Sequence, residues 1–456
     1  MRFRRVICLV LALAAPARAD EDDAPAPHVD RGRPGRAIAY AAPPERKSEM
    51  RVCSMYLPLC VHAARAAPPA KIMAILASAE RAWSTLAGAM ELPPPDVDPS
   101  TLAYAIHVVD AAPETASTEL LARDVRSPVD RARAFTVVDG RARPGCELDG
   151  AMAAAIARAM LYRSAPATDE GTARAQTRSL AQIVAPCSLG LAADAALAFQ
   201  SAPDRAIADV HATSPNAAPG DPVTRADRLY ADGSALVWTR IDWAFGRTPG
   251  GLVRAAWALA PTTTPLAAPF WHDEPDAYDV LRESFKNTLR SGSTIADLLL
   301  DVAIARAFLG SADDGAHAPE TRTLGDAARV PLDWDIPWPD KPRRLAPRMP
   351  VFPTGASYVV VRRAPAGARL RVELQWEEHA LFRWAFVKLD ASGRELGRVL
   401  VGSRERAVEA QMTLVDLDAA DRVLLVGVNT GDPTYHFDPD DEVWEPHGWL
   451  LSLAAE

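Results

Sequence analysis

At 456 residues the chain is long enough for two or three domains of about 100 to 200 residues each, so a single small module is excluded. Apolar residues make up 49% and charged residues 24%, ordinary globular usage that excludes a wholly disordered or fibrous chain. The net charge is −9 and the only lysines are Lys47, Lys71, Lys286, Lys341 and Lys388, a poor match for phosphate backbones that sets nucleic acid aside as a partner.

Residues 1–19 read as a secretory signal peptide. Arg2, Arg4 and Arg5 precede the apolar run Val6 to Ala15, and Ala17-Arg18-Ala19 supplies a small-x-small cleavage site before Asp20-Glu21-Asp22-Asp23. The apolar run is about half the length needed to span a bilayer, and no later segment is long and apolar enough. A soluble, secreted or periplasmic product is expected.

Export would leave Cys53, Cys60, Cys146 and Cys187 in an oxidising compartment, where two disulfides are the default. Of the three connectivities, Cys53 with Cys60 and Cys146 with Cys187 is favoured: the first closes a short loop, the second brackets one helical region. The spacing lacks the close C-x-x-C pairs of a zinc site.

Residues 20–50, rich in Asp, Ala, Pro and Arg without apolar periodicity, read as a flexible N-terminus. From 51 to 310 the pattern is mainly helical. Ile72, Ile75, Leu76, Ala79, Trp83, Leu86 and Met90 form one apolar face before Pro93-Pro94-Pro95. Leu102 to Val109 and Phe135 to Val138 look like strands. Helices are expected over 148–162, 170–184, 229–245, 250–259, 277–289 and 295–309. Residues 311–353, dense in Pro, Asp and Arg, read as an extended connector with Trp334 and Trp338 packed on a neighbouring domain.

After Thr354-Gly355 the period becomes that of strands. Leu370, Val372, Leu374 and Trp376 alternate, as do Phe382, Trp384 and Phe386, then Val399 with Val401, Met412 with Leu414, and Val423 with Leu425. Residues 354–456 therefore read as an antiparallel β-sandwich. The fold class is α+β.

No H-E-x-x-H helix, G-x-S-x-G elbow, S-x-x-K, P-loop or G-x-G-x-x-G occurs. What stands out is Glu170-Gly171-Thr172-Ala173, opening a second helix after the helix over 148–162. This order resembles exported bacterial zinc metallopeptidases of the gluzincin type, in which an H-E-x-x-H helix is followed by a helix opening E-[GS]-T-A whose Glu is the third zinc ligand. Ala79-Glu80-Arg81-Ala82-Trp83, the strand near Tyr104 to Val109, the helices around Leu236 to Phe245 and the turn Leu389-Asp390-Ala391-Ser392-Gly393 resemble that family too, and the likeness spans 51–456.

The resemblance implies a vestigial zinc position at Glu170 and a metallopeptidase-like helical domain over 51–310. Where the family carries its zinc helix, this chain reads Leu148-Asp149-Gly150-Ala151-Met152-Ala153-Ala154-Ala155-Ile156-Ala157-Arg158, and no histidine lies between His107 and His211. Catalytic zinc keeps three protein ligands and an open position; Glu170 aided by Asp149 would hold a cation weakly. Residues this early in a helix are also often acidic simply because the helix dipole favours it. The expectation is a catalytically inactive exported protein, with no cofactor, that binds an unidentified protein or glycan.

Two alternatives follow from the same residues. Glu170 with His107 or His211 could build an atypical hydrolase, and the terminal sandwich could bind carbohydrate. Among further clusters, the acidic stretch 432–442 offers oxygens for calcium but lacks EF-hand spacing, and Glu377-Glu378-His379 reads as an exposed connection. Trp238 and Trp243 suit a helix core better than a sugar platform, while Trp444 and Trp449, flanking His447, suggest a binding edge.

Overall fold

Strands come first. The computed structural model describes residues 36–37, 39–44, 49–207, 209–212, 223–260, 270–272, 277–284, 294–363, 365–378, 380–402, 408–431 and 445–456. After the two-residue β1 (Arg36–Ala37), β2 (Glu49–Cys53) and β3 (Leu59–Ala64) form an antiparallel hairpin. Cys53 and Cys60 face each other across it and are disulfide-bonded, their Cα atoms 4.0 Å apart. α1 (Pro69–Trp83) starts on a proline, which loses no helical bond at the first position, and widens into a π turn over Ser84–Ala89.

β4 (Tyr104–Val109), β5 (Ala116–Arg123) and β6 (Ala132–Asp139) complete a sheet of order β2-β3-β4-β6-β5. Its inner strands β3, β4 and β6 are parallel, because α1 carries the chain back between β3 and β4, and β5, antiparallel to β6 at the edge, does so between β4 and β6. This sheet was legible only at β4 and β6. The sequence Ala-Ser-Thr-Glu-Leu-Leu-Ala-Arg of β5 lacks a regular apolar alternation, and β2, Glu-Met-Arg-Val-Cys, alternates over too few residues to stand out.

Leu59, Val61, Tyr104, Ile106 and Val108 point to one side of the sheet and share a core with Ile72, Ile75, Leu76 and Ala79 of α1. The same core takes in α2 (Cys146–Leu161), an alanine-rich helix buried nearly all round. α3 (Glu170–Val184) runs back along α2, its first turn capped by the Asp169 carboxylate, which accepts from the Thr172 N–H at 2.7 Å. α4 (Cys187–Leu191) follows at once. The Cys146–Cys187 disulfide, with Cα atoms 5.9 Å apart, ties the start of α2 to the start of α4, just past the end of α3, at the open end of this helical hairpin. Gly150 permits the approach: a Cβ there would lie 2.6 Å from the Ser188 Cβ.

The remaining helices are α5 (Ala193–Ser201), α6 (Arg225–Gly233), α7 (Ala235–Phe245), α8 (Gly251–Leu259), α9 (Ala277–Ser284) and α10 (Ile295–Arg306). β7 (Phe270–Trp271), between α8 and α9, pairs with β1. Thr224 with Asp227 and Thr294 with Asp297 form reciprocal capping boxes at α6 and α10. The helix expected over 229–245 is therefore two, divided at Ser234, and Gly233 lies so close to α5 that a Cβ would meet the Ala195 carbonyl at 2.1 Å.

Residues 311–353 contribute structure to both neighbours. A 3-10 stretch, Pro319–Ala328, packs on the helices, then β8 (Trp334–Pro337) and β9 (Arg343–Leu345) become edge strands. With β10 (Ala356–Arg362), β11 (Leu370–Trp376), β12 (Phe382–Leu389), β13 (Glu395–Gly402), β14 (Glu409–Leu414), β15 (Arg422–Asn429) and β16 (Trp449–Ala455) they make two sheets. The five-stranded one is ordered β13-β12-β15-β10-β8, the four-stranded one β14-β11-β16-β9. Only β8 with β10 is parallel.

Val359, Phe382, Trp384, Phe386, Leu425, Leu374 and Leu453 fill the space between these two sheets, with Trp334 and Trp338 against it. The opposite face of the five-stranded sheet, Tyr358, Val360, Ala385, Val387, Leu424 and Val426, belongs to the helical core. The Tyr358 hydroxyl donates to the Ala303 carbonyl of α10 at 2.8 Å. One sheet is thus buried on both faces, and Pro34–Glu456 is one compact unit of class α+β. Among the described residues no helix is long and apolar enough to cross a membrane.

Candidate functional site

Glu170 sits in the first turn of α3, opposite the last turns of α2, and there it meets a cation. Arg158 of α2 places a guanidinium nitrogen 2.8 Å from its Oε2. Arg174, one turn further along α3, lies 3.5 Å from Oε1 and is shared with Asp232 at 2.8 Å and Glu114 at 3.0 Å. Arg178 reaches the same two acids at 3.3 and 3.6 Å. Burial alone would raise the Asp232 carboxyl, but the charges of Arg178 and Arg174 outweigh it and hold the group below its ordinary range.

This network leaves little of a zinc site. A guanidinium is protonated at all relevant pH values, donates hydrogen bonds and cannot ligate a metal. The α2 residues facing the core are Met152, Ala153, Ile156, Ala157 and Met160, none with the imidazole, thiolate or carboxylate that zinc takes. Asp149 lies nine residues before Arg158, about 13 Å along the helix, and accepts hydrogen bonds from Ser78 and Arg81 of α1. It does not converge on Glu170. The donor set does not fit zinc.

A different set of residues does converge. On β2, β3 and β4 the two-residue period puts Glu49, His62 and His107 on the sheet face turned away from α1 and α2. His62 is the register partner of Arg51 on one side and of His107 on the other. The imidazole rings stack at 4.9 Å, Phe135 of β6 meets the His107 ring edge-on at 5.5 Å, and Glu49 Oε1 lies 3.0 Å from His62 Nδ1.

The ligating atoms of the three side chains all lie within 4.8 Å of one another. Among the described residues this is the one trio of His, Cys, Asp or Glu so arranged, and it contains neither Glu170 nor His211. The trio borders a cavity of about 400 Å³ whose wall includes Asp96, Asp98 and Arg133. In the sequence His62 belongs to no motif, and His107 suggests itself only as a partner for Glu170. The available signal was their place in the strand-like segments Leu-Cys-Val-His-Ala-Ala and Tyr-Ala-Ile-His-Val-Val, but which strands adjoin is a tertiary fact.

The other candidates are dispersed. All of Cys53, Cys60, Cys146 and Cys187 are in disulfides, in the favoured pairing. The 432–442 acidic stretch, Trp444 and His379 lie outside the described residues. Glu377 accepts from the Gly448 N–H at 3.0 Å and pairs with His447 at 2.8 Å, tying β11 to the start of β16. Trp449 is 3% exposed and packs against Trp384, so it is core instead of an edge for binding. Trp243 departs the other way: Trp238 and Ile241 are buried as expected of a helix core, whereas Trp243 is 48% exposed beneath the Arg240 guanidinium.

No family model and no curated protein matches this chain. Some solved structures match a part of it. The pre-peptidase C-terminal domain of collagenase from Bacillus anthracis is 9% identical, over 28% of this chain and 99% of that one, with a TM-score of 0.18. PliG of Aeromonas hydrophila, a periplasmic inhibitor of g-type lysozyme, is 13% identical over 28% of this chain and 100% of its own, with a TM-score of 0.17. CorA of Methylomicrobium album BG8, a surface-associated copper-binding protein, is 8% identical over 26% and 96%, with a TM-score of 0.19. At such scores these likenesses carry no argument about this chain.

Proposed function

We propose that the chain is an exported, catalytically inactive relative of gluzincin-type metallopeptidases, serving as a binding or structural module in which a metallopeptidase-like helical body supports a terminal β-sandwich. The observation that carries this reading is Arg158. In the order of helices that the family resemblance implies, Glu170 would be a zinc ligand; here its carboxylate is neutralised by a guanidinium from the helix that would have carried the zinc histidines. A fixed cation satisfies the carboxylate yet offers no open coordination position, so no water is activated there.

Two disulfides and the arginine-led apolar N-terminus support export, to the periplasm or beyond. The two facing sheets with alternating inward residues support the sandwich. The test is casein cleavage by the purified chain and by Glu170→Gln, each with and without a chelator. No turnover above buffer is expected in any arm. Chelator-sensitive cleavage that disappears in Glu170→Gln overturns the reading.

A further inference from the structure

The geometry points to a divalent transition-metal site formed by Glu49, His62 and His107 on the outer face of the first sheet, separate from the Glu170 position and independent of the reading above. Two imidazoles and a carboxylate are a donor set that zinc accepts, with the fourth position left to water or a small ligand. Metal–ligand bonds of about 2.0 to 2.2 Å place tetrahedral donors about 3.3 to 3.6 Å apart. The donor atoms lie within 4.8 Å of one another, so binding requires them to draw together by at most about 1.5 Å.

The site is built on rigid elements. Three adjacent strands supply one ligand each, and their register is what brings the ligands together. A one-residue slip of β2 on β3 would turn Glu49 to the opposite face. The Cys53–Cys60 disulfide prevents that slip, since it locks the same ladder in which Arg51 opposes His62. Phe135, edge-on to His107, restricts that ring. His107 is buried and the His62 side chain is 14% exposed, so both imidazoles are largely removed from bulk water, while Glu49 stands at the open rim.

The charges around the cavity are balanced, three carboxylates against three guanidiniums, so the donor set and not the surrounding field carries the assignment. The cavity wall adds Asp96 and Asp98 to Glu49, against Arg133, whose charge acts on Asp98. Arg51 shares the outer face but is exposed, and Arg163 neutralises Asp96 at 3.2 Å. The cavity of about 400 Å³ leaves room for the open coordination position and a small ligand on it.

Cobalt(II) titration of the full chain tests this site, because a four-coordinate nitrogen and oxygen site gives strong visible bands that an all-oxygen octahedral site lacks. One equivalent of cobalt with such bands, displaced by zinc, is expected. His62→Ala should abolish the bands and Glu49→Gln should weaken cobalt binding at least tenfold, both with unchanged circular dichroism. His62 and Glu49 are the less buried ligands, so the test does not depend on replacing His107. Absence of the bands, or bands that persist unchanged in His62→Ala, overturns the assignment.

Discussion

Arg158 is the one charged side chain of α2 beyond its first turn, among Ala, Met, Ile and Leu, and its partner decides what the helix hairpin can do. Removing one member of a buried pair costs about 3–5 kcal/mol, an exposed pair under about 1. Arg158 is 15% exposed and Glu170 36%, so the pair lies between these limits. Arg158→Met should therefore lower stability by about 1–3 kcal/mol, read as a lower urea midpoint, and Glu170→Gln by at least as much, since it leaves the more buried Arg158 guanidinium without a carboxylate while Glu170 keeps Arg174 at 3.5 Å when Arg158 is replaced. A midpoint unchanged in Arg158→Met would mean the pair contributes nothing. The motif around Glu170 was readable from the residues alone. Its neutralisation was not, because it depends on the turn over 162–169 returning α3 alongside α2.

Among elements, legibility followed the way each one is buried. The strand β11 alternates because only one of its faces meets the core between the sheets, which leaves a two-residue period in the sequence, whereas β12 turns Phe382, Trp384 and Phe386 to that core and Ala385 and Val387 to the helices. β10, Ala-Ser-Tyr-Val-Val-Val-Arg, shows no alternation because both its faces are covered. The helices α2 and α3 were readable to within a few residues, and their stapling was foreseen from cysteine spacing. The Cys146–Cys187 bond closes a long loop, worth about 3–4 kcal/mol in the chain-entropy picture. Cys146→Ser with Cys187→Ser should lose about that much in a denaturant titration. The same double change should leave the Glu49, His62 and His107 face intact, since that face depends on the other disulfide.

Across the whole molecule, the helical body and the terminal sheets are joined by a hydrophobic face and by polar contacts, among them a cluster around His317. His317 stacks on Phe308 and stands between Asp314 at 2.9 Å and Glu395 of β13 at 2.9 Å, with Arg398 beside it. Burial works against its protonation, but the two carboxylates overcome this and raise its pKa above the ordinary 6.5. A raised folded value means that the protonated ring stabilises the folded state fully below about pH 6.5, and that this contribution fades as pH rises through the higher folded value. Asp314 and Glu395 are lowered in turn, so their contribution fades in acid. Thermal unfolding followed upward from pH 6.5 should show a decline in the native chain that His317→Gln lacks. Equal slopes in both proteins would remove His317 from the joint.

From the residues alone came the α+β class, the helical hairpin around Glu170, the two disulfides and the absence of any complete catalytic motif, because each is written in local periodicity, spacing or residue type. Three things were decided only by the tertiary structure. They are the guanidinium set against Glu170, the sheet that gathers Glu49, His62 and His107, and the burial of one terminal sheet on both sides. Each depends on which segments, distant in the chain, lie side by side, and side chains of separate strands and helices acquire a common chemistry only once packing has brought them within a few ångströms.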